Sequence, residues 1–169
     1  MNVTLLMAMT ADGKIAKNDA HFTDWTDRED KRLFKSITRA AGVFIMGRKT
    51  FETLPHPLPG RLNVVMTRNA AQKPPADNVL FSSQRPRELI KDLEERGFQQ
   101  VVIAGGATIN TLFAAENLID EMVLTYSPRI FGAGISLFSA PMDLSLALKD
   151  LKKMGNGLVY VRYTVRRPA

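Results

Sequence analysis

One acidic side chain, Asp30, stands where a helix should be apolar. Phe34 and Ile37 fall at i+4 and i+7 from it, so a helix over residues 27–41 turns all three to one face. A carboxylate on such a face costs several kcal/mol if it is charged and unpaired. It calls for a partner, a raised pKa or a function; the other reading is a first-turn Asp that serves the helix dipole. A second group surrounds Gly47. Val43-Phe-Ile-Met46 is apolar throughout, as in a strand buried on both faces, and Arg48-Lys49-Thr50 then open a helix. Backbone N–H groups at a helix start, beside two cations, suit a phosphate. Residues 62–66 form another buried strand with Thr67 and Arg68 just beyond it, at the strand end where open α/β sheets bind ligands. These five polar residues can line one edge; the other reading is a solvated turn with ordinary surface charge. A third group is Val101-Val-Ile-Ala104 running into Gly105-Gly106-Ala107-Thr108 and an apolar helix to about residue 115. Such a turn lets a backbone approach a pyrophosphate closely. A tight strand-to-helix turn also needs glycine, and this is not the six-residue dinucleotide fingerprint.

The elements that must position these groups follow from pattern. Residues 3–9 read as a first strand. Residues 10–24 form a polar loop without clear periodicity, the mark of a functional loop inside a compact domain, and the only tryptophan, Trp25, closes it. Thr26-Asp27-Arg28-Glu29 has the form of a capping box with Thr26 as N-cap. Residues 69–78, with Pro74-Pro75, read as a surface loop and residues 79–81 as a short strand. Residues 86–96 form an amphipathic helix with Leu89, Ile90 and Leu93 on one side, ended by Gly97. Residues 120–126 alternate as a strand, 128–134 are turn-rich, and 144–153 have mixed periodicity. Gly155-Asn-Gly157 reads as a hairpin turn before an antiparallel last strand over 158–165. There are no repeats or linkers, so residues 1–169 are expected to form one domain. Strands alternating with helices, then a closing hairpin, predict an α/β fold with a mostly parallel sheet covered on both faces.

Composition narrows the function. With 45% apolar and 24% charged residues in a chain of 169, an ordinary globular core is expected. The absence of cysteine excludes disulfides, thiolate metal sites and a cysteine nucleophile, and fits a reducing, cytoplasmic setting. Two histidines are too few for a histidine-rich metal site, so no metal is expected. The apolar start lacks a basic leader and is cut short by Asp12, so it reads as a strand and not a signal peptide. No run approaches the ~18 apolar residues of a membrane span. A net charge of +6 without basic runs interleaved with aromatics reads as solvated surface plus anion-binding positions, not as a nucleic-acid surface.

With these residues in view, the chain resembles a dihydrofolate reductase over nearly the full length of that family's domain. Trp25 and Asp30 stand five apart, with Phe34 four further on. Ile45-Met-Gly-Arg-Lys-Thr-Phe-Glu52 is similar to the family's second strand and cofactor turn, and Pro57-Leu-Pro-Gly-Arg61 places an arginine fourteen residues after Gly47. Ile103-Ala-Gly-Gly106 and Leu124-Thr125 match its glycine pair and substrate-side strand. The loop before Trp25 is longer than usual, Asp24-Trp25 replaces Pro-Trp, and Asn110 stands where a tyrosine is common. Asp12-Gly-Lys-Ile15 and Pro128-Arg-Ile-Phe-Gly132-Ala-Gly134 look more like the reductase domain of riboflavin biosynthesis, which shares the fold.

The resemblance implies a dihydrofolate-reductase-like three-layer α/β fold, with a mostly parallel mixed sheet, helices on both faces and an antiparallel C-terminal strand. It implies NADPH-dependent reduction of 7,8-dihydrofolate to tetrahydrofolate. The alternative is the riboflavin-pathway reductase acting on 5-amino-6-(5-phosphoribosylamino)uracil; a third reading, a nucleotide-binding module without chemistry, leaves the inward Asp30 unexplained. On the first reading Asp30, Thr125 and Trp25 form the catalytic group. Leu6, Met7, Phe34, Leu54 and Leu58 wall the pterin site, and Arg61 takes the α-carboxylate of the glutamate tail. Ala8 and Ile15 border the nicotinamide. Gly47, Arg48, Lys49, Thr50, Thr67, Arg68, Ala104, Gly105, Gly106, Ala107, Thr108 and Ile109 hold NADPH, with Arg48 and Arg68 on its 2′-phosphate. A homodimer through the Phe131-Gly-Ala-Gly134 segment is expected on the same ground, with no nucleic acid and no membrane as partner.

Overall fold

The first strand, β1 (Asn2–Thr10), lies between β6 (Gln100–Ile103) and β7 (Glu121–Ser127) and runs parallel to both. The computed structural model describes residues 1–19, 21, 25–72 and 76–167. Asp24 before the tryptophan and the Pro74-Pro75 pair lie outside the described residues. The remaining elements are β2 (Lys14–Ala16), α1 (Arg28–Ala41), β3 (Val43–Gly47), α2 (Arg48–Glu52), β4 (Leu62–Met66), β5 (Val79–Ser82), α3 (Pro86–Glu95), α4 (Ala107–Ala115), β8 (Ile135–Ser136), β9 (Leu146–Lys153) and β10 (Val159–Val165). Eight strands make one sheet in the order β5-β4-β3-β6-β1-β7-β10-β9. The first six are parallel and the last two close the sheet as an antiparallel hairpin.

β3 up to Gly47 and residues 101–103 of β6 are apolar throughout because both of their faces are covered. Alternation along β1 sorts the core into two layers. Val3, Leu5 and Met9 pack with Leu89, Leu93, Ile109 and Phe113 from α3 and α4. Leu6, Phe44, Met46, Val65 and Val123 face the other way, against Leu33, Phe34 and Ile37 of α1. The expected three layers are therefore present, and the parallel strands bring their C-terminal ends to one edge.

Two local expectations need correction. The N-cap of α1 is Asp27, not Thr26: its carboxylate accepts from the Glu29 N–H at 2.9 Å. Glu29 does not reach back to close a capping box. Its carboxylate accepts the Gly155 N–H at 2.7 Å, and Asp27 accepts from Asn156 at 2.8 Å, so the first turn of α1 holds the turn between β9 and β10. The loop after β1 is also not structureless. Lys14–Ala16 pairs with Ile135–Ser136 in a separate two-stranded sheet. A three-residue strand is too short to show a period, and its partner is far away in sequence.

Buried Asn63 on β4 fixes the segment before it. Its Oδ1 accepts the Leu58 N–H at 2.9 Å, while its Nδ2 donates to the carbonyls of Leu58 at 2.9 Å and of Arg61 and Asn78 at 3.1 Å. Asn63→Ala removes the acceptor of the Leu58 N–H and one donor from each of the three carbonyls, which keep bonds from the Asn78 side chain and the residue 63 N–H. It is expected to lower stability by about 1–3 kcal/mol, read as a lower denaturant midpoint at unchanged slope; an unchanged midpoint would show that the loop holds itself.

Candidate active site

Asp30 lies in the first turn of α1 and is only 8% exposed. β7 turns Thr125 to the same sheet face as Val123, and the Thr125 hydroxyl donates to Asp30 Oδ1 at 2.5 Å. The Thr26 side chain makes a second hydrogen bond to the same carboxylate. Burial raises the Asp30 pKa above the usual carboxylate range, and the two hydroxyls and the Lys31 ammonium pull it only partly back. A carboxylate that merely served the helix dipole would stay in water; this one is held under the helix against β7.

The face that Asp30 shares carries Leu6, Phe34, Leu54 and Leu58. Ala8 stands beside Thr125 in the β1–β7 register. Met7 is not part of this wall. Strand alternation sends it to the opposite face with Ile15, and its Sδ lies 3.1 Å from where a Cβ on Gly105 would sit. It belongs beside the glycine turn, not beside Asp30.

Two turns along α1, Thr38 holds Arg61. Arg61 is 7% exposed; its Nη1 donates to Thr38 Oγ1 at 2.8 Å and to the Lys35 carbonyl at 3.2 Å. It lies 5.7 Å from the centre of the Phe44 ring. Its buried Nε has no protein acceptor among the described residues. Burial, with Arg39 nearby, depresses its pKa without discharging it near neutrality. The arginine is thus held in place with donor capacity to spare.

Trp25 is buried, meets Phe131 edge-on at 5.3 Å, and its Nε1 likewise has no acceptor among the described residues. Phe131 therefore turns inward onto Trp25, and the outward apolar side chain of that loop is Ile130. Asp12 ties this loop to the one after β1. It accepts the Gly132 N–H at 2.8 Å, the Phe131 N–H at 3.2 Å and the Thr10 hydroxyl at 2.5 Å. The Thr10 hydroxyl first, and then the two backbone donors, hold its carboxyl below the usual range.

At the other end of the cleft the β3 and β6 turns meet. The Gly47 N–H donates to the Gly105 carbonyl at 2.9 Å, and that of Ala104 to Ile45 at 2.9 Å. A Cβ on Gly106 would stand 3.5 Å from Thr50 Oγ1, and one on Gly47 3.1 Å from Ile109 Cγ1. Gly105 has φ +90°, which favours glycine, and the Gly105–Gly106 peptide is cis. α4 starts at Gly106 with no side-chain cap, so the N–H groups of Ala107, Thr108 and Ile109 have no side-chain acceptor there. Arg48 and Lys49, both exposed, are engaged by Glu52 and Asp19. Thr67 is half-buried and Arg68 exposed, at the end of β4. No cluster of His, Asp or Glu suited to a metal occurs among the described residues.

Thr26, Thr38, Asn63 and Asn110 escaped the sequence reading as site residues. Thr38 lies at i+8 from Asp30, on the same stripe of α1, so its position was available from spacing. Asn110 was noted only as a departure. It is fully buried beside the glycine turn, donates to the Leu137 carbonyl at 2.8 Å, and leaves its Oδ1 without a donor among the described residues.

A parallel sheet with a buried carboxylate and a glycine turn toward the C-terminal ends of its strands, and a guanidinium held two turns along α1 at the start of β4, defines an α/β enzyme of the reductase type. The RibD C-terminal domain family matches residues 1–160, and the chain belongs to that family of oxidoreductases. It is 32% identical over 154 residues to the type 8 dihydrofolate reductase of Escherichia coli, covering 89% of this chain and 85% of that one. It is 30% identical over 169 residues to the uncharacterised YwjB of Bacillus subtilis, covering 94% and 96%. Its structure superposes with a TM-score of 0.80 on a crystal structure from Shewanella sp. PV-4 of a protein provisionally named for riboflavin biosynthesis, at 25% identity, covering 99% of this chain and all of that one.

The raised Asp30 pKa sets a pH dependence. The folded state holds this proton more tightly than the unfolded chain. That contribution is complete below the unfolded value of about 3.9 and is lost as pH rises through the folded value. Asp30→Asn mimics the neutral acid. Its melting temperature should match the parent's in acid and exceed it increasingly as pH rises, in melts from about pH 3 to 8. A gap that closes with rising pH contradicts the burial reading.

Proposed function

We propose that the protein is an NADPH-dependent reductase whose substrate is 7,8-dihydrofolate. The observation that carries this reading is the Asp30–Thr125 pair, buried on the same face of α1 as the held Arg61. A carboxylate there accepts hydrogen bonds from the 2-amino group and N3 of a pterin, and its charge favours the protonated, electron-poor ring. The Thr125 hydroxyl fixes the orientation of the carboxylate. Leu6, Phe34, Leu54 and Leu58 offer the flat ring apolar walls and keep water from it. Arg61, with unspent donors, suits the α-carboxylate of a glutamate tail.

The residues at the glycine turn fit a dinucleotide phosphate. The side-chain-free space at Gly106 faces the Thr50 hydroxyl, and the uncapped start of α4 offers backbone donors to a pyrophosphate. Arg68 is exposed at the end of β4, and Arg48 is held only by an exposed i,i+4 pair, worth little in water. Both are available to a 2′-phosphate. When bound, NADPH would supply a hydride to C6 of the pterin while N5 takes a proton from water; the Asp30 carboxylate favours the protonated ring.

A second reading is the reductase of the riboflavin pathway, with a phosphoribosylated aminopyrimidine as substrate. The family match over residues 1–160 and the Shewanella neighbour favour it at least as strongly. Loss of absorbance at the NADPH band, with dihydrofolate in one cuvette and the aminopyrimidine in another, separates the two. Turnover of the aminopyrimidine alone gives the second reading.

On the first reading, Arg61→Ala should raise KM for dihydrofolate at least about tenfold, the loss of one charge-assisted contact of roughly 1.5–3 kcal/mol. A pterin without the glutamate tail should be turned over almost unchanged; equal losses on both substrates make Arg61 structural. For the cofactor, Arg48→Ala combined with Arg68→Ala should raise KM for NADPH far more than for NADH. Equal losses with the two cofactors would remove the 2′-phosphate assignment.

A further inference from the structure

α1 carries two stripes. Asp30, Phe34 and Thr38 form one, toward the cleft already described. Leu33, Ile37 and Ala40, at i, i+4 and i+7, form another and line a separate groove. α1 packs mainly on β3 and β6, toward the middle of the sheet. The sheet continues past it through β7 to the C-terminal hairpin, which leaves a groove of about 390 Å³ between the far flank of α1 and that hairpin. Such a volume lies within the roughly 300–1,000 Å³ usual for small-molecule sites.

The groove is apolar along α1 and at Val123, Met154 and Tyr160, polar at Asn2, Thr4 and Gln100 where β1 and β6 begin, and charged on the hairpin. Leu33 and Ile37 face Val123 and the Tyr160 ring across it. Lys152 and Arg162 stand at the hairpin end, with the Lys152 ammonium 5.5 Å from the centre of the Tyr160 ring. Both cations have carboxylate partners, Asp150 for Lys152 and Glu121 for Arg162, and Lys149 also pairs with Glu121. Three cations against two carboxylates leave one net positive charge at this end. A long side chain whose apolar stem borders a groove and whose head is charged attracts a ligand built the same way.

We propose that this groove is a second ligand site, separate from the Asp30 cleft, for a flat organic anion. Its aromatic body lies between α1 and the Tyr160 ring, and its carboxylate or sulfonate lies at Lys152 and Arg162. The two sites share no side chain: Val123 and Thr125 point to the same sheet face two residues apart, one to each flank of α1. Occupation of the groove therefore leaves the cleft open.

The probe is 8-anilinonaphthalene-1-sulfonate, titrated by fluorescence against the whole folded chain. Saturable binding of one probe per chain is expected, and it should persist with NADPH and dihydrofolate both in excess. Ala40→Phe fills the groove from an exposed helix position, and Lys152→Glu reverses the charge on an exposed strand. Each should weaken the probe at least about tenfold while melting temperature and NADPH oxidation stay unchanged. The proposal fails if NADPH or dihydrofolate displaces the probe, if both variants bind it as the parent does, or if no saturable binding occurs. These results do not depend on which substrate the reductase takes.

Discussion

A carboxylate taken out of water is the constraint around which the chain is arranged. Asp30 loses hydration under α1 and regains only part of it as hydrogen bonds from Thr125 and Thr26. Those bonds require β7 to stand at a fixed height against α1. The height is set by the parallel register of β1 with β7, where Ala8 faces Thr125. A slip of one residue would turn Thr125 to the other face and leave the carboxylate alone. A buried acid without a partner costs more than the fold can readily spare. The Asp30–Thr125 bond thus reports that helix, strand and register agree.

The cleft around it is built from polar side chains that satisfy loop backbone. Asn63 does this for the turn that delivers Leu58 and Arg61, and Asp12 for the turn that delivers Phe131 to Trp25. Glu29 does it for the hairpin turn at Gly155. In each case a side chain accepts or donates where loop N–H and carbonyl groups have no sheet partner. These loops are therefore positioned by side-chain hydrogen bonds. Thr38 plays the same part for Arg61: without it the guanidinium would turn to water, and a carboxylate would find no fixed fork to meet.

The two ends of the cleft differ in kind. Near Asp30 the surface is apolar with one acid and one held arginine, which suits a flat heteroaromatic ring bearing a charged tail. Near Gly105 it is backbone, with donors at the start of α4 and no side chain between Gly106 and Thr50. A reductase needs this division, because the ring that receives the hydride and the phosphates that anchor the donor are recognised by different chemistry.

Much of this was written in the sequence. The continuous apolar run at the start of Val43–Gly47, and the Val-Val-Met end of Leu62–Met66, specified strands buried on both faces, because only full coverage tolerates such runs. The 3.6-residue period placed Asp30, Phe34 and Ile37 on one side of a helix, and the glycine pair marked the tight turn after β6. These signals are local, and local periodicity survives without a partner. Tertiary structure decided what depended on distant groups. Thr26 gave up the N-cap to Asp27 because Asp30 needed its hydroxyl, and Glu29 left its box for a turn that the chain forms 126 residues later. Met7 went to the glycine turn because β1 has a helix layer on each face, which its own apolar run does not reveal. Lys14–Ala16 became a strand only because Ile135–Ser136 arrived beside it. Spacing along a chain fixes which side chains share a face; which groups stand opposite that face is settled by the packing that buries it.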